Sequence, residues 1–307
     1  MTESTADRGE WTTTSTGKTA TLLEINSLLP SYTKSERKVA QYVLAHTETV
    51  IYASVIDLAE KIGVGETTVL RFCRKIGFRS YQEFKLALAQ ELANPSQHSR
   101  DEVTKEDSLH AIAQKVAAFN VQSIHDTDAL LDVEQLGRCV QLLIEARTIH
   151  FYGVGTSGVT ALDAKYKCLR IGLRVDAFSD AHLQAMAAST LEPGDVAVGI
   201  SVSGSTKDTI DALKLAKEAG ASVICLTHYR RSPITQHADI TLLTAAKQGP
   251  LEGGSLAAKI AQLHVIDVLC TAVSQKMSDK ALTYKQKTAK AVLDKVYEPA
   301  QPGKGKP

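Results

Sequence analysis

The sequence predicts two folded domains of different class, an all-α domain followed by a three-layer α/β domain with a parallel sheet. In the first, capped helical patterns follow one another from residue 20 to residue 93. In the second, apolar runs alternate with amphipathic helices from residue 148 onward, the order expected when helices cover both faces of a parallel sheet. Between them, residues 94–108 begin with Asn-Pro and carry Ser, Gln and mixed charges, which is typical of a linker.

The composition is that of an ordinary globular protein. With 307 residues, 44% of them hydrophobic and 22% charged, the chain is long enough for two domains. A formal net charge of +1 does not by itself indicate a class of partner. The five cysteines are odd in number and lack C-x-x-C spacing, which indicates reduced thiols rather than disulfides or zinc ligands. We therefore expect a cytoplasmic protein with neither a metal nor a cofactor.

Neither a secretion signal nor a membrane span is predicted. Residues 1–21 are rich in Thr and Ser and lack the apolar core of a signal peptide. No later apolar run approaches the roughly 20 residues that a membrane-spanning helix needs. We expect residues 1–19 to form a disordered leader and residues 298–307, rich in Pro, Gly and Lys, to form a disordered tail.

Residues 20–93 are predicted to form a helix-turn-helix DNA-binding domain. Ser54 offers a cap for one helix, and another helix begins at Glu66. Residues 57–72 are therefore predicted to be two short helices joined by the turn Gly63-Val64-Gly65, which is the spacing of a helix-turn-helix.

The second helix of this motif is basic and rich in Thr. An α-helix fits the major groove, where Arg can donate two hydrogen bonds to guanine and Thr can meet a thymine methyl group or a phosphate. The charges alone would equally suit a solvated face of any helical bundle, and it is the turn spacing that favours DNA. The predicted DNA-binding residues are Thr67, Thr68, Arg71, Arg74 and Lys75 on this helix and Lys85 on the next.

Two strands of the second domain lead into loops rich in glycine and hydroxyl groups. The apolar strand at 196–200 is followed by Ser-Val-Ser-Gly-Ser-Thr at 201–206 and then by an amphipathic helix. The strand at 148–152 is followed by Gly-Val-Gly-Thr-Ser-Gly at 153–158. The helix after it carries apolar residues at helical spacing, Val159, Leu162, Tyr166 and Leu169.

Together these loops predict an anion-binding site. The free N–H groups and the dipole at the start of a helix face a bound anion. One Ser-rich loop would be no more than an ordinary turn in which Ser205 or Thr206 caps the helix. Two such loops form a single site if the strands that end at Tyr152 and Ile200 are neighbours at the switch point of the sheet.

The remaining elements complete a domain over residues 109–297. Predicted helices cover 109–131, 133–146, 181–188, 206–219, 255–277 and 280–296, and further strands cover 173–178, 222–227 and 240–243.

Several short motifs occur in a fixed order along the chain. The first domain has KSERKVA at 34–40, TVLRFCRKIGF at 68–78 and YQEFK at 81–85; the second has GVGTSG at 153–158, SD at 179–180, SVSGST at 201–206 and AKIAQL at 258–263. By these motifs the chain resembles the RpiR family of bacterial transcriptional regulators, in which a helix-turn-helix domain precedes a sugar isomerase (SIS) domain. The resemblance covers roughly residues 22–277.

The resemblance implies a DNA-binding regulator of carbohydrate metabolism whose SIS domain senses a phosphorylated sugar. It also implies a five-stranded sheet of flavodoxin-like order. The hydroxyl groups that hold phosphate in that family correspond to Ser157, Ser201, Ser203 and Thr206. The loops around them add Gly155, Gly204, Ser205 and Glu252 to the predicted effector site. Two positions depart from the family pattern: Gly65 stands where many relatives have a Ser cap, and Val202 stands where phosphosugar isomerases often have Gln.

Two other functions fit some of the same residues. The spacing Gly153-x-Gly155-x-x-Gly158 with Asp176 about 20 residues beyond it matches a dinucleotide fingerprint, although Asp176 lies inside a predicted strand. An active phosphosugar isomerase would need a general acid and base near the sugar. Candidates in the second domain are His182, His228, His264, Glu252 and Lys259, but no pair has a spacing that compels a reaction. We therefore expect a regulator rather than an enzyme.

Operator DNA and a sugar phosphate are the expected partners, with no membrane contact. One short helix in one groove discriminates poorly, so DNA-binding proteins of this size usually dimerise on two half-sites. We therefore expect a homodimer or a homotetramer, assembled through the second domain.

Overall fold

The computed structural model describes residues 21–92, 103–245 and 256–295. Among these residues, no helix combines the length and the apolar character needed to cross a membrane. The first domain consists of six helices: α1 (Thr21–Ser27), α2 (Lys34–Ala45), α3 (Thr47–Tyr52), α4 (Val55–Ile62), α5 (Glu66–Lys75) and α6 (Tyr81–Leu92). The prediction of an all-α helix-turn-helix region is confirmed.

Local hydrogen bonds explain where these helices begin. Thr33 caps α2 and exchanges hydrogen bonds with Glu36, and Ser54 caps α4 in the same way with Asp57. Each pair satisfies backbone N–H groups that the first turn of a helix leaves free. At the end of α4, Gly63 has a φ of +70°, a conformation that glycine adopts without steric cost. The turn to α5 is therefore set by local sequence.

An aromatic cluster at the centre of this domain fixes the position of α5. The ring of Phe72 lies 5.3 Å from that of Tyr32 and 6.0 Å from that of Phe84, between ring centroids. Phe72 and Phe84 are both fully buried. Because Phe72 lies in the middle of α5, its burial turns the opposite side of the helix toward solvent.

The second domain is an α/β domain with five parallel strands in the order β2-β1-β3-β4-β5. The strands are β1 (Ile149–Tyr152), β2 (Val175–Phe178), β3 (Val196–Ile200), β4 (Ser222–Thr227) and β5 (Ile240–Leu243). The helices are α7 (Leu109–Leu130), α8 (Val133–Glu145), α9 (Thr156–Arg170), α10 (Ala181–Ser189), α11 (Lys207–Glu218), α12 (Leu256–Met277) and α13 (Asp279–Lys290). This is the flavodoxin-like order that the family resemblance implied.

Helices cover both faces of the sheet. On one face, side chains of β3 such as Val198 pack with α8, α9 and α12, and on the other Ala197 packs with α10 and α11. Every residue of β3 is buried, as predicted for a strand covered on both sides.

The buried face of α9 is formed by small residues. Val159, Leu162, Tyr166 and Leu169 are exposed, and the small residues Ala161, Ala164 and Cys168 pack against the sheet instead. Small side chains let a helix lie close to the strands. The larger apolar residues of α9 lie on its other side and point away from the sheet. The helical spacing of these four residues in the sequence therefore marks an exposed apolar side of α9.

Helix α1 contributes to the packing of both domains. Ile25 belongs to the core of the first domain, whereas Leu23 packs against Leu130, Leu243 and Ala245 of the second. The limits of the domains stay a prediction, but the first helix connects their cores.

Candidate DNA-binding helix and phosphate-binding loops

Three predicted DNA contacts lie on the solvent side of α5. Thr67, Arg71 and Arg74 are exposed, on the side of the helix opposite Phe72. Thr68 was expected to point outward as well, and this expectation was wrong, since Thr68 is buried with 8% of its surface exposed. Thr68 lies about one helical turn before Phe72 and therefore shares its inner face.

Two predicted lysines are engaged within the domain. Lys75 Nζ donates to the Ser31 carbonyl at 2.7 Å and to Glu36 Oε2 at 2.9 Å. Burial opposes the charge of Glu36, but hydrogen bonds from Thr33 and Lys75 outweigh it and hold the pKa of this carboxyl below its usual range. Lys85 Nζ donates to the Ala53 carbonyl at 3.0 Å. Both lysines support packing in this structure.

Local side chains occupy backbone N–H groups at the start of α6. Ser80 Oγ accepts from the Glu83 N–H at 3.1 Å, and Glu83 Oε2 accepts from the Arg79 N–H at 2.8 Å. Tyr81 is buried, and its hydroxyl donates to the Ala53 carbonyl at 3.2 Å. Because local side chains occupy these N–H groups and Glu83 adds negative charge, the exposed side of α5 is the stronger DNA candidate.

In the second domain, the two hydroxyl loops leave neighbouring strands. Strands β1 and β3 pair in parallel, with Tyr152 opposite Gly199. Loop 1 (residues 153–158) and loop 2 (residues 201–206) therefore emerge side by side at the carboxyl edge of the sheet. This edge is the switch point, where open parallel sheets bind their ligands. The strands that end at Tyr152 and Ile200 are thus neighbours, as a single site requires.

Tight backbone geometry explains the glycines of loop 1. Gly155 precedes the first residue of α9 with a φ of +60°. A Cβ atom on Gly153 would lie only 2.7 Å from the Ser157 carbonyl oxygen. The glycine spacing thus serves the turn itself. No side chain caps α9, which leaves its start open to an anion.

The Ser157 hydroxyl of loop 1 is held by helix α12. Ser157 is buried, with 6% of its surface exposed. Its Oγ accepts a hydrogen bond from Gln262 Nε2 on α12 at 3.1 Å. Gln262 was noted in the sequence only as part of a family motif, and no local signal links it to a loop 105 residues away.

Loop 2 folds around its own hydroxyl groups. Ser201 Oγ and Thr206 Oγ1 are 2.9 Å apart, and Ser203 Oγ accepts from the Ser205 N–H at 3.2 Å. Thr206 stands at the cap position of α11, yet its side chain makes no capping hydrogen bond. The predicted cap is therefore absent, and the N–H groups at the start of α11 face the loop without a capping side chain. Ser203 and Ser205 are exposed.

Gly204 is required by the contacts of loop 2. Its φ is +62°, and a Cβ atom at this position would overlap the Ser232 side chain. Val202 packs with Ala258 and Ala261 of α12. Loop 2 therefore lies between α12, which Val202 contacts, and the segment after β4, which approaches Gly204 closely.

The loops offer hydrogen-bond donors rather than charge. Lys207 follows loop 2 directly, but its ammonium group is paired with Asp211 on the exposed side of α11. In the part of the chain that the structure describes, loops 1 and 2 contain no basic residue. An anion held here would depend on hydroxyl groups and two helix starts.

The candidate catalytic residues do not come together in the described ranges. His182 is exposed, whereas His228 is buried with 5% of its surface exposed. His264 has a buried Nε2, and Lys259 is half-buried on the same helix. Glu252 lies outside the described residues. Nothing in the described residues assembles an acid and a base beside the two loops.

The acidic residue of the dinucleotide hypothesis is otherwise engaged. Asp176 lies within β2 and accepts from Lys165 Nζ at 2.7 Å. Burial opposes its charge, but Lys165 and the Ala177 N–H outweigh that effect and keep the pKa of Asp176 below its usual range. A carboxylate held in this way inside a strand is a poor ligand for a ribose.

A segment after β4 contacts both loop 2 and helix α1. The His228 N–H donates to the Val202 carbonyl at 3.0 Å, and the Ile234 N–H donates to the Gly204 carbonyl at 2.9 Å. On the other side, Arg230 contacts the Ser27 carbonyl through its backbone N–H and Glu24 through its guanidinium, both at 2.9 Å. Residues 228–234 therefore connect the candidate effector site to the first helix of the DNA-binding region.

His228 also contacts α1 through its ring. Asn26 Nδ2 and His228 Nε2 are 3.1 Å apart. Burial lowers the pKa of His228, and a backbone hydrogen bond with Thr244 opposes that shift only in part. Burial thus favours the neutral ring, whose Nε2 can accept the amide N–H of Asn26.

Comparison with known proteins gives matches in both halves of the chain. Residues 19–95 match the helix-turn-helix domain of the rpiR family, and residues 142–272 match the SIS domain. A curated HTH-type transcriptional regulator of Haemophilus influenzae is 42% identical over 277 residues, which are 89% of this chain and 96% of that protein. The regulator HexR of Pseudomonas aeruginosa is 37% identical over 253 residues, which are 82% and 88% of the two chains.

A solved structure covers nearly the same length. The NanR protein of Vibrio vulnificus, complexed with ManNAc-6P, superposes with a TM-score of 0.60 at 32% sequence identity. The match covers 91% of this chain and 100% of that one.

Proposed function

Because the chain belongs to the RpiR family of transcriptional regulators, with a helix-turn-helix domain before an SIS domain, we propose that a phosphorylated sugar bound between loops 1 and 2 controls operator binding by α5. The observation that carries this proposal is the pairing of β1 with β3. It brings the hydroxyl groups of both loops and the starts of α9 and α11 to one edge of the sheet.

Helix α5 supplies the contacts to the operator. Its exposed side presents two guanidinium groups, Arg71 and Arg74, one helical turn apart, with Thr67 one turn earlier. In the major groove, Arg71 is placed to read a guanine, and Arg74 to meet a base or a phosphate. Lys75 and Lys85 contribute less, since their ammonium groups hold the domain together.

Loops 1 and 2 bind the phosphate group as a dianion. Ser157, Ser203 and the hydroxyl pair Ser201–Thr206 donate hydrogen bonds, the pair with one proton because the other is shared between its two oxygens. The N–H groups at the starts of α9 and α11 add to them. Each hydrogen bond to a charged acceptor contributes about 1.5–3 kcal/mol in such a site. The unphosphorylated parent sugar lacks the charge that these dipoles face, so we expect it not to bind.

The solved relative supports a phosphorylated sugar as the ligand class. NanR of Vibrio vulnificus is complexed with ManNAc-6P, and its likeness to this chain extends over both domains. The sugar ring of the effector would lie beyond the phosphate, near Val202, and Glu252 stays a predicted contact from outside the described residues. Val202 is apolar and packs on α12, so it offers no hydrogen bond to a reacting sugar. A sensing role fits this site better than isomerisation.

Effector binding reaches the DNA-binding domain through residues 228–234. A ligand can change DNA affinity only if its contacts differ between two arrangements of the protein. Loop 2 is bonded to this segment through the carbonyls of Val202 and Gly204, and Arg230 and His228 of the segment are bonded to α1. Movement of loop 2 around a phosphate would therefore shift the support of α1.

The functional unit is a dimer or a tetramer acting in the cytoplasm, where the operator lies. Two copies of α5 on two half-sites add their contacts and give a discrimination that one helix lacks. The second domain, which carries exposed apolar side chains on α9, is the part that we expect to assemble.

Calorimetry with a panel of sugar phosphates, including ManNAc-6P, and their unphosphorylated parents tests the effector site. We expect a phosphorylated sugar to bind and its parent not to bind. Ser203→Ala removes one charge-assisted hydrogen bond and should weaken binding by about tenfold to a hundredfold. Ser189 is an exposed serine on α10. Ser189→Ala is the matched control and should bind the sugar phosphate with normal affinity.

Equal affinity for a sugar and its phosphate, or an unchanged affinity in Ser203→Ala, would show that the site is wrongly placed. Turnover of a bound sugar phosphate by the purified protein would favour the isomerase function instead.

A further inference from the structure

A buried glutamine on α12 holds the serine of loop 1. Gln262 has 1% of its surface exposed, and Thr160 is fully buried. Gln262 Nε2 donates to Ser157 Oγ at 3.1 Å, and Gln262 Oε1 accepts from Thr160 Oγ1 at 2.9 Å. A buried amide is costly unless its polar atoms are paired, and here both ends of the amide are paired with hydroxyl groups of α9.

The direction of these hydrogen bonds decides what Ser157 offers to a ligand. A serine hydroxyl has one proton and two acceptor lone pairs. The bond from Gln262 occupies one lone pair and leaves the proton of Ser157 for another acceptor. Within residues 21–92, 103–245 and 256–295, Ser157 Oγ donates to no other group. Its proton is therefore available at the open start of α9.

We propose that Gln262 is a positioning residue that presents Ser157 as a hydrogen-bond donor to the phosphate of the effector. This role rests on the proposed function of loops 1 and 2. A phosphate dianion only accepts hydrogen bonds, so a bound phosphate sets the direction of the whole chain: Thr160 donates to Gln262, Gln262 to Ser157, and Ser157 to phosphate. Hydrogen bonds that point the same way strengthen one another.

The opposite orientation of the amide would work against binding. If the side chain of Gln262 were turned over, its Oε1 would accept the proton of Ser157. Ser157 would then face the phosphate with lone pairs only, and the contact would be repulsive. Anion binding thus requires the amide of Gln262 with its Nε2 toward Ser157. A side chain that only filled the same space would not be sufficient.

Three single variants test this role in titrations with inorganic phosphate and with ManNAc-6P, in which calorimetry and phosphorus NMR measure binding. Gln262→Glu places an acceptor and a negative charge beside Ser157, so affinity at pH 8 should fall more than about tenfold. Gln262→Leu leaves the Ser157 hydroxyl free to rotate and should cost about threefold to tenfold. Thr160→Val, of matched shape, should cost about twofold.

A double-mutant cycle separates positioning from general packing. If Gln262 acts through Ser157, Gln262→Leu should change affinity less than about twofold in a Ser157→Ala background. A pH profile of Gln262→Glu gives an independent readout. Burial raises the pKa of the introduced carboxyl, so at pH 6 it becomes protonated and can donate to Ser157 again. Its affinity relative to the parent protein should then recover.

Each outcome decides one question. Folded Gln262→Glu with the parent affinity at pH 8, or a Gln262→Leu effect that persists without Ser157, would overturn the positioning role and leave the proposed effector site standing. Failure of the unmodified protein to bind either probe would overturn the effector site and the positioning role together. If Gln262→Glu does not fold, the Gln262→Leu cycle and Thr160→Val still test the role.

Discussion

The exposed side of α5 and the pair of hydroxyl loops are both suited to phosphates, but by different physical means. Helix α5 presents Arg71 and Arg74 on flexible side chains in solvent. Loops 1 and 2 present hydroxyl groups and N–H groups fixed by the backbone, with Ser157 and Ser201 buried. A mobile cation attracts a phosphate from a distance, whereas a fixed set of short donors recognises one phosphate of the right geometry.

This difference explains how one chain could discriminate between two ligands that both carry phosphate. Attraction between exposed charges is long-ranged and is screened by salt. Hydrogen bonds from buried donors act only at contact and are screened much less. We therefore expect DNA, a dense polyanion, to favour α5 and a small sugar phosphate to favour the loops.

The largest expected contrast is in salt dependence. Between about 50 mM and about 200 mM salt, a dimer that makes roughly six to ten phosphate contacts should lose about 10³- to 10⁵-fold in operator affinity. The affinity for the sugar phosphate should change by less than about tenfold, because its donors are neutral. Fluorescence anisotropy on operator DNA and calorimetry on the sugar phosphate measure the two slopes. Parallel slopes would mean that the loops also depend on exposed charge.

A triple substitution on α5 should have the next largest effect. Thr67→Ala, Arg71→Ala and Arg74→Ala together should lower operator affinity more than about a hundredfold, with Arg71 alone worth about 1–3 kcal/mol. Sugar phosphate affinity should not change, since the loops lie in the other domain. The control is Lys85→Ala, which should reduce the stability of the first domain more than its operator affinity. Full operator affinity in the triple variant would refute the assignment of α5.

Removal of the contact between Arg230 and α1 should affect only the coupling of the two sites. Arg230→Ala should reduce the change in operator affinity on adding the sugar phosphate by about threefold to tenfold, within the usual range of coupling energies. Each ligand should still bind alone. The neighbouring Arg231→Ala is the matched control and should keep normal coupling. Unchanged coupling in Arg230→Ala would mean that the signal passes by another route.

The smallest expected effect concerns the turn before α5. Gly65 caps α5 without a side-chain hydrogen bond, and a Cβ atom there would meet only Thr67 Oγ1, at 3.7 Å. Gly65→Ser should therefore stabilise the protein by a few tenths of a kcal/mol, because the serine hydroxyl can accept an N–H of the first turn. Thermal unfolding of Gly65→Ser and of the unmodified protein measures this difference in stability. A lower melting temperature would show that glycine serves another purpose here.

The contrast between the two regions also shows which features could be predicted from sequence. The strands and the helix start at Ser54 depend on local patterns, and these predictions were confirmed. The condition for a single site, that the strands before the two loops are neighbours, is met. The loop residues stay a prediction as an effector site. The orientation of single side chains was not predicted as well: α5 begins at Glu66 as expected, yet Thr68 lies on the inner face, one turn before Phe72.

Contacts between distant residues left no local trace. The partners of Lys75 and Lys85 lie 44 and 32 residues away in the chain, and Asn26 lies 202 residues from His228. A lysine on a basic helix has the same pattern whether it faces DNA or a carbonyl of its own domain. The support of Ser157 by Gln262 is hidden in the same way, because a glutamine inside an apolar helix has no distinctive spacing.

The most direct test of the central claim is an operator titration with and without a bound sugar phosphate, on the unmodified protein and on Ser203→Ala. Operator DNA can be selected from genomic fragments by the protein itself. We predict that the sugar phosphate changes the operator affinity of the unmodified protein at least fivefold, and that Ser203→Ala binds operator equally well alone but needs about tenfold to a hundredfold more ligand for the same change. An operator affinity that is indifferent to every bound sugar phosphate would contradict the claim that loops 1 and 2 control α5.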